Sequence, residues 1–408
     1  MSTLNVDKVD PSTGTALEIG TSGDTITVPS GATLVVAGTT EITGTNNVQR
    51  PNAQPLMVNG DMQVAQRGTS VASLTSSGAV QTVDRIKNEI GSIGTYTVTQ
   101  EALTSGNAYD DGFSMAWRID CTTADASPAA GDSLYVTYSF EGQNLQLFKK
   151  GTSNAEKFTL AFWIKSKKTG TGQVNLRDND NTRLIGGTYT ISVADTWEYK
   201  VVNFAADTTG VFGNDNANSM DIEWWLDSGT NYSSGATPTA WEAFAQTDRN
   251  ASGTLAIADS TDNDWAITAI QLEVGEFTSS TIPSFQHESY GDNLSRCQRY
   301  FQKLTNGESG KGISMVRYWS STAAGGVFNL PTTMRANPTA AYANGTGYWL
   351  ISGGTGGAND PFDTITNNDT SLQNAGWYSG SAATGTAGYA GLMMTNSTSA
   401  KAEFSSEL

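Results

Sequence analysis

Apolar residues in this chain fall in short runs that alternate with polar ones, and they rarely recur at the three- and four-residue spacing of an amphipathic helix. The alternating runs are residues 96–99, 114–119, 134–140, 158–166, 174–177, 197–204, 220–226 and 265–273. Segments rich in Gly, Asn, Asp and Ser separate them, as turns between strands require. The pattern predicts an all-β chain whose central part is a two-sheet β-sandwich of jelly-roll type. A period of two in residues 158–166 sets Phe158, Leu160, Phe162 and Ile164 on one face and Trp163 with Thr159 and Lys165 on the other. In residues 221–227 it sends Ile222, Trp224 and Leu226 to the core, while Trp225 joins Asp221, Glu223 and Asp227.

The same reading divides the chain. In residues 1–55 small apolar pairs (Leu17/Ile19, Ile26/Val28, Leu34/Val36) recur between Gly-rich turns. Such pairs alternate as strands do but offer one chain too little apolar surface to fold alone. The expectation is an intertwined β-stalk shared by three copies, with Pro51 and Pro55 marking its end. Residues 56–288 form the predicted jelly roll. Residues 289–304, with Leu294, Cys297, Tyr300/Phe301 and Leu304 at helical spacing, form a linking helix or hinge. There Arg296, Arg299 and Lys303 are placed to pair with acidic neighbours. Residues 305–408 are again β-rich and form a distal domain, so the segments line up as an elongated fibre.

Composition narrows the function. Of 408 residues 43 are Gly, only 15% are charged, and the formal net charge is −17. An acidic surface repels a phosphate backbone, which argues against nucleic-acid binding. No apolar run approaches the roughly 20 residues of a membrane span, and no secretory leader is apparent, so the expectation is a soluble protein without membrane insertion. Cys121 and Cys297 match neither a disulfide framework nor a zinc spacing and read as free thiols. No cofactor is indicated. The acidic run from Asp178 places Arg183 where an EF-hand loop needs Gly, so it reads as a solvated turn, and no metal site is expected. His287 is the single histidine, which leaves little for nucleophilic catalysis. The protein is therefore expected not to be an enzyme. A polysaccharide depolymerase is the weaker alternative, since hydrolysis needs two carboxylates about 5 to 9 Å apart.

Aromatic residues supply the candidate chemistry. Three doublets, Tyr318-Trp319, Tyr348-Trp349 and Trp377-Tyr378, lie in the distal part. Neighbours on a strand point to opposite faces, so each doublet can give one core ring and one surface ring. Trp319, Trp349, Trp377 and Tyr378, with Trp163 and Trp225 on the polar faces of the sandwich, are the candidate glycan-binding residues. Sugar C–H faces stack on rings while polar neighbours take the hydroxyls. The other role open to these rings is packing against a loop or a neighbouring subunit.

Several motifs resemble the tail-fibre and related virion proteins of tailed bacteriophages: residues 59–70, Val83-Asp84-Arg85, residues 158–166, Trp197-Glu198, residues 271–275 and residues 285–301. The resemblance implies a central jelly roll similar to carbohydrate-binding modules, within a homotrimeric tail fibre made in the host cytoplasm and carried on the virion. It further implies attachment to other tail proteins through the N-terminus and adsorption to host cell-surface polysaccharide. A head fibre or decoration protein with a structural role only is the alternative. Two departures stand out. Gln286 and Glu288 flank His287 where the family carries an acidic residue and His-Arg. Gln63 and Thr268 occupy places where related modules hold a structural calcium, although Asp259, Asp262 and Asp264 cluster nearby.

Overall fold

The computed structural model describes residues 54–76, 80–305, 307–353 and 355–408. The predicted stalk of residues 1–55 lies outside them except for its last two residues. Eleven strands build the sandwich: β1 (Ser70–Ser76), β2 (Lys87–Ala102), β3 (Met115–Thr123), β4 (Ser133–Glu141), β5 (Phe158–Ser166), β6 (Gly170–Asp178), β7 (Arg183–Ile191), β8 (Glu198–Phe204), β9 (Asn218–Ser228), β10 (Glu242–Ala243) and β11 (Asp264–Val274). They are hydrogen-bonded in the order β10-β7-β6-β9-β4-β2-β3-β11-β5-β8, with β1 on β2.

This continuous path folds into two layers because β2 serves both. Residues 87–91 pair with β4, and residues 95–102 pair with β3. Between the two stretches, Ser92 (φ 57°) and Gly94 (φ 65°) adopt left-handed backbone, which turns the strand. A Cβ on Gly94 would lie 2.7 Å from the Thr123 carbonyl oxygen, so the close approach also requires glycine. The two inner faces meet where Phe162 of β5 stands edge-on to Trp224 of β9 (6.0 Å) and Tyr189 of β7 (5.2 Å). Phe158, Leu160, Ile164, Ile222 and Leu226 are buried with them, on the faces that the period of two assigned. Cys121 and Cys297 are both free and buried; burial pushes the Cys121 thiol up to about 11.

One edge of the sandwich is pinned by a buried charge. Lys150 has no exposed side-chain surface, and its ammonium pairs with Asp178 and, at 3.0 Å, with Asp207. It also donates to the carbonyls of Thr209 (3.2 Å) and Gly210 (2.9 Å). Burial would raise the Asp207 carboxyl, but Lys150, the Thr209 amide and Arg183 together hold it below the usual carboxylate range.

The connecting helix runs from Tyr290 to Gln298. Its start is capped by Ser289, whose hydroxyl accepts from the Asp292 amide (3.2 Å) and donates to the Asp292 carboxylate (2.6 Å). The apolar stripe predicted helix or hinge as far as residue 304. Instead Phe301–Lys303 is strand β12, because its backbone pairs with a strand contributed by residues a hundred positions later.

Nine further strands follow among the described residues: β13 (Gly312–Tyr318), β14 (Ala324–Asn329), β15 (Thr339–Ala343), β16 (Trp349–Ser352), β17 (Asp360–Phe362), β18 (Thr366–Thr370), β19 (Asn374–Ser379), β20 (Ala390–Thr395) and β21 (Lys401–Ser405). Seven form a sheet in the order β17-β16-β20-β13-β14-β19-β18, and β12-β21-β15 form a second. The sheets enclose a second core in which Phe328 meets Phe404 (5.9 Å) and Phe362 stacks near Trp377 (6.0 Å).

Charged groups fasten the distal sheets to the sandwich. Arg299 donates to both oxygens of the fully buried Glu141 (2.7 and 2.6 Å), and the Tyr300 hydroxyl donates to the same carboxylate (2.6 Å). Arg67 and Arg85 both hold Glu407 while their guanidinium carbons lie 3.6 Å from the centre of the Phe301 ring and 3.5 Å from that of Tyr300. Arg296 pairs with Glu288 at 2.6 Å.

Candidate binding surface on the distal sheet

Alternation along β13, β14, β19 and β20 determines what the seven-stranded sheet shows to solvent. Val316, Tyr318, Phe328, Trp377 and Met393 point inward. Met315 and Arg317 of β13, Val327 and Asn329 of β14, Asn374 and Tyr378 of β19 and Leu392 of β20 point outward. Register aligns them across the strands: Arg317 faces Gly325, and Gly325 faces Tyr378. Glycine at the middle of that row leaves space beneath the flanking side chains.

Trp319 fills part of this space. It follows the last residue of β13, and its amide donates to the Ala323 carbonyl (2.8 Å) in a tight turn that returns the chain into β14. The Trp319 side chain folds back over the sheet. A Cβ built on Gly325 would fall 2.8 Å from Trp319 Nε1 and 2.9 Å from the Trp377 carbonyl oxygen, so only glycine lets the indole lie there. The Arg317 guanidinium carbon sits 3.8 Å from the indole centre, braced on the ring. Trp319 nonetheless remains 57% exposed and Met315 69%. Together with Tyr378, Asn329, Asn368, Asp369 and Asn374, they border an open groove of about 930 Å³. Beneath it the Tyr318 hydroxyl donates to Asp360 (2.8 Å); burial first, and then that carboxylate, push the phenol above its ordinary range.

The groove brings together three of the six aromatic residues singled out from the sequence. Trp319 and Tyr378 are exposed on it, and Trp377 forms its floor. Two expectations within the doublets are corrected. Trp377 is almost fully buried, and its Nε1 donates to Ser314 Oγ (3.0 Å), so Tyr378 is the surface ring of that pair. Trp349 has no exposed surface and donates to Asn344 Oδ1 (3.1 Å), so it is a core ring that offers no stacking face.

Trp225 is also corrected. It shares the outer face of β9 with Glu223, as the alternation requires, yet a segment of the same chain covers it. Buried Glu223 needs a counter-charge, and Arg249 supplies it through two bonds (2.9 and 2.7 Å). That guanidinium lies 4.5 Å from the Trp225 ring, which itself stacks on Tyr135 at 4.4 Å. Gln173 and Asn175 of β6 donate to the carbonyls of Asp248 and Arg249 (both 2.7 Å), sealing the face. Of the two roles open to such a ring, Trp225 has the packing one. Trp163 is half-buried, donates to Asp111 Oδ2 (3.2 Å) and leans on Tyr199 (5.3 Å), away from the groove.

Two of the three clustered aspartates are engaged in ion pairs. Asp259 pairs with Lys168 and Asp264 with Arg118. Gln63 donates to Ser114 Oγ (2.8 Å), and Thr268 donates to the Met115 carbonyl (2.7 Å). Among the described residues no cluster of three or more His, Cys, Asp or Glu side chains could hold a metal ion, and no helix is long and apolar enough to cross a membrane.

Sequence reasoning overlooked Arg317, Met315 and the asparagines. The signal was present, because a period of two from Ile313 places Met315, Arg317 and Trp319 on one face.

No family model matches the chain, and no curated protein matches it in sequence. Among solved structures, the enzymatically active domain of tailspike protein 4 from bacteriophage CBA120 is 13% identical, with a TM-score of 0.28. That alignment covers 54% of this chain and 21% of the tailspike chain, so this protein spans about a fifth of its length. A putative sugar binding protein from Bacteroides thetaiotaomicron is 13% identical over 54% of this chain and 100% of its own, with a TM-score of 0.27. The family 11 carbohydrate-binding module of a Clostridium thermocellum cellulase is 9% identical over 52% and 97%, with a TM-score of 0.24. Likeness at these identities and scores carries no argument about activity.

Proposed function

We propose that this protein is a virion fibre of a tailed bacteriophage, trimeric through its N-terminal stalk, that holds host-surface glycans on the outer face of its distal sheet. The reading rests on one observation: an exposed indole, Trp319, is braced by Arg317 over a glycine gap, with Tyr378 beside it and amide side chains around it. Leaving large rings in water is unfavourable unless a partner covers them, and rings bordered by amides suit a sugar's apolar face and hydroxyl rim. A single such site is weak; three per fibre raise avidity without new contacts. In this reading binding is passive: Asp369 is the sole carboxylate among the described residues bordering the groove, whereas glycoside hydrolysis uses two.

A second reading has its own support. Met315, Val327 and Leu392 are apolar and exposed on the same face, which suits a protein contact in a head fibre or decoration protein. One experiment separates the two readings. Trp319→Ala and Gly325→Ala, the second displacing the indole without removing it, should each weaken binding to host envelope polysaccharide about tenfold or more while leaving the sedimentation coefficient unchanged. Unaltered binding in both variants would refute the glycan reading, and dissociation of the oligomer would identify the face as a subunit contact.

A further inference from the structure

The groove's arginine carries the reading further. Eight described arginines meet a carboxylate within salt-bridge distance. Arg335 instead donates to the carbonyls of Ser406 (2.8 Å), Asn216 (2.6 Å) and Glu407 (3.1 Å). Arg317 is the exception among the described residues. It is exposed and makes neither an ion pair nor a side-chain hydrogen bond, and its single contact of note is the Trp319 ring. In a chain with 40 acidic residues against 23 basic ones, an arginine left without a carboxylate is conspicuous, and this one stands on the wall of the groove.

Ring contact fixes the guanidinium plane while leaving its five donors unspent, so little ordering remains to be done when an acceptor arrives. A neutral sugar does not need such a group, because the asparagines already supply amide donors and acceptors. A carboxylate does: the planar fork matches its two oxygens, and the local positive charge opposes the repulsion of a net charge of −17. Resting on the glycan reading above, we infer that the groove selects acidic saccharides, a uronic-acid residue stacking beside Trp319 and Tyr378 with its carboxylate on Arg317.

The test is a panel of uronic-acid oligosaccharides of different linkage, each paired with its carboxyl-reduced neutral counterpart, titrated by calorimetry against the full chain. Wild type should bind at least one acidic member about tenfold more tightly than its reduced partner. Arg317→Gln, an exposed change checked for an unaltered melting temperature, should abolish that preference, because its loss of affinity falls about tenfold more heavily on the acidic member than on its reduced partner, whereas Trp319→Ala should weaken both alike. Equal binding of acidic and reduced forms by wild type, or an undiminished preference in Arg317→Gln, overturns acidic selectivity and leaves glycan binding standing. Failure of wild type to bind any member of either series overturns both.

Discussion

Replacing Lys150 with methionine keeps a chain of similar length and removes the charge that pins one edge of the sandwich. The ammonium is fully enclosed and meets four oxygens, two from aspartates and two from backbone carbonyls. Asp207 would keep both bonds from Arg183 (2.8 and 3.2 Å) and the Thr209 amide (3.0 Å). Asp178, with no exposed side-chain surface, would keep only the Asn181 amide groups and no cation. Removing one partner of a buried pair costs about 3 to 5 kcal/mol, because the other charge stays buried and uncompensated. The variant should lose that amount in urea unfolding at neutral pH, followed by tryptophan fluorescence; Trp241 lies 4.8 Å from the ammonium and reports locally. Adding Asp178→Asn removes the orphaned charge, so the double variant should recover most of the loss and sit within about 1 to 2 kcal/mol of wild type, the scale of ordinary hydrogen bonds. A single-variant loss below about 1 kcal/mol, or a double variant less stable than the single, would refute the argument that charge compensation holds this edge.

Two shorter expectations follow from the same kind of reasoning. Trp349→Ala removes a core ring and should destabilise the distal sheets by about 3 to 5 kcal/mol, whereas Trp319→Ala on the surface should stay within about 0.5 kcal/mol; equal losses in thermal denaturation would contradict the assignment of faces. Burial pushes the Asp84 carboxyl up to about 7 from its ordinary 3.8, even though Arg67 pulls the other way. Folding therefore takes up a proton, and this contribution is present below pH 4 and lost as pH rises towards 7. Asp84→Asn should flatten that part of the decline, and urea midpoints at pH 4.5 and 7.5 that fall as steeply as in wild type would count against it.

Periodicity carried most of the sandwich. Residues 158–166 are β5 residue for residue, and the inner faces of β5 and β9 are the expected ones. It missed β7, where Gly186 and Gly187 interrupt the alternation, and β1, whose exposed residues have no buried face to mark them. The helix was placed correctly at its core but not at its end, because pairing of β12 with β21 is a contact that local spacing does not encode. Site residues follow the same division. Alternation says which of two neighbouring rings shares a face with which others, but not which face is covered. Trp225 stands on a polar face that Arg249 and its segment close, and that closure depends on residues distant in sequence.

The clamp on Glu407 also has a bearing on how the protein is made. Arg67 and Arg85 emerge from the ribosome well before the carboxylate they hold, which lies 340 and 322 residues later. At about 5 to 20 residues per second, they wait roughly 20 to 70 s for it. Until then Arg85, destined for a site with almost no solvent exposure, lacks its counter-charge, so the sandwich cannot reach its final packing at this seam. A polypeptide cut short upstream of Glu407 carries the same defect permanently. The finished seam of the sandwich thus depends on the distal residues that carry Glu407.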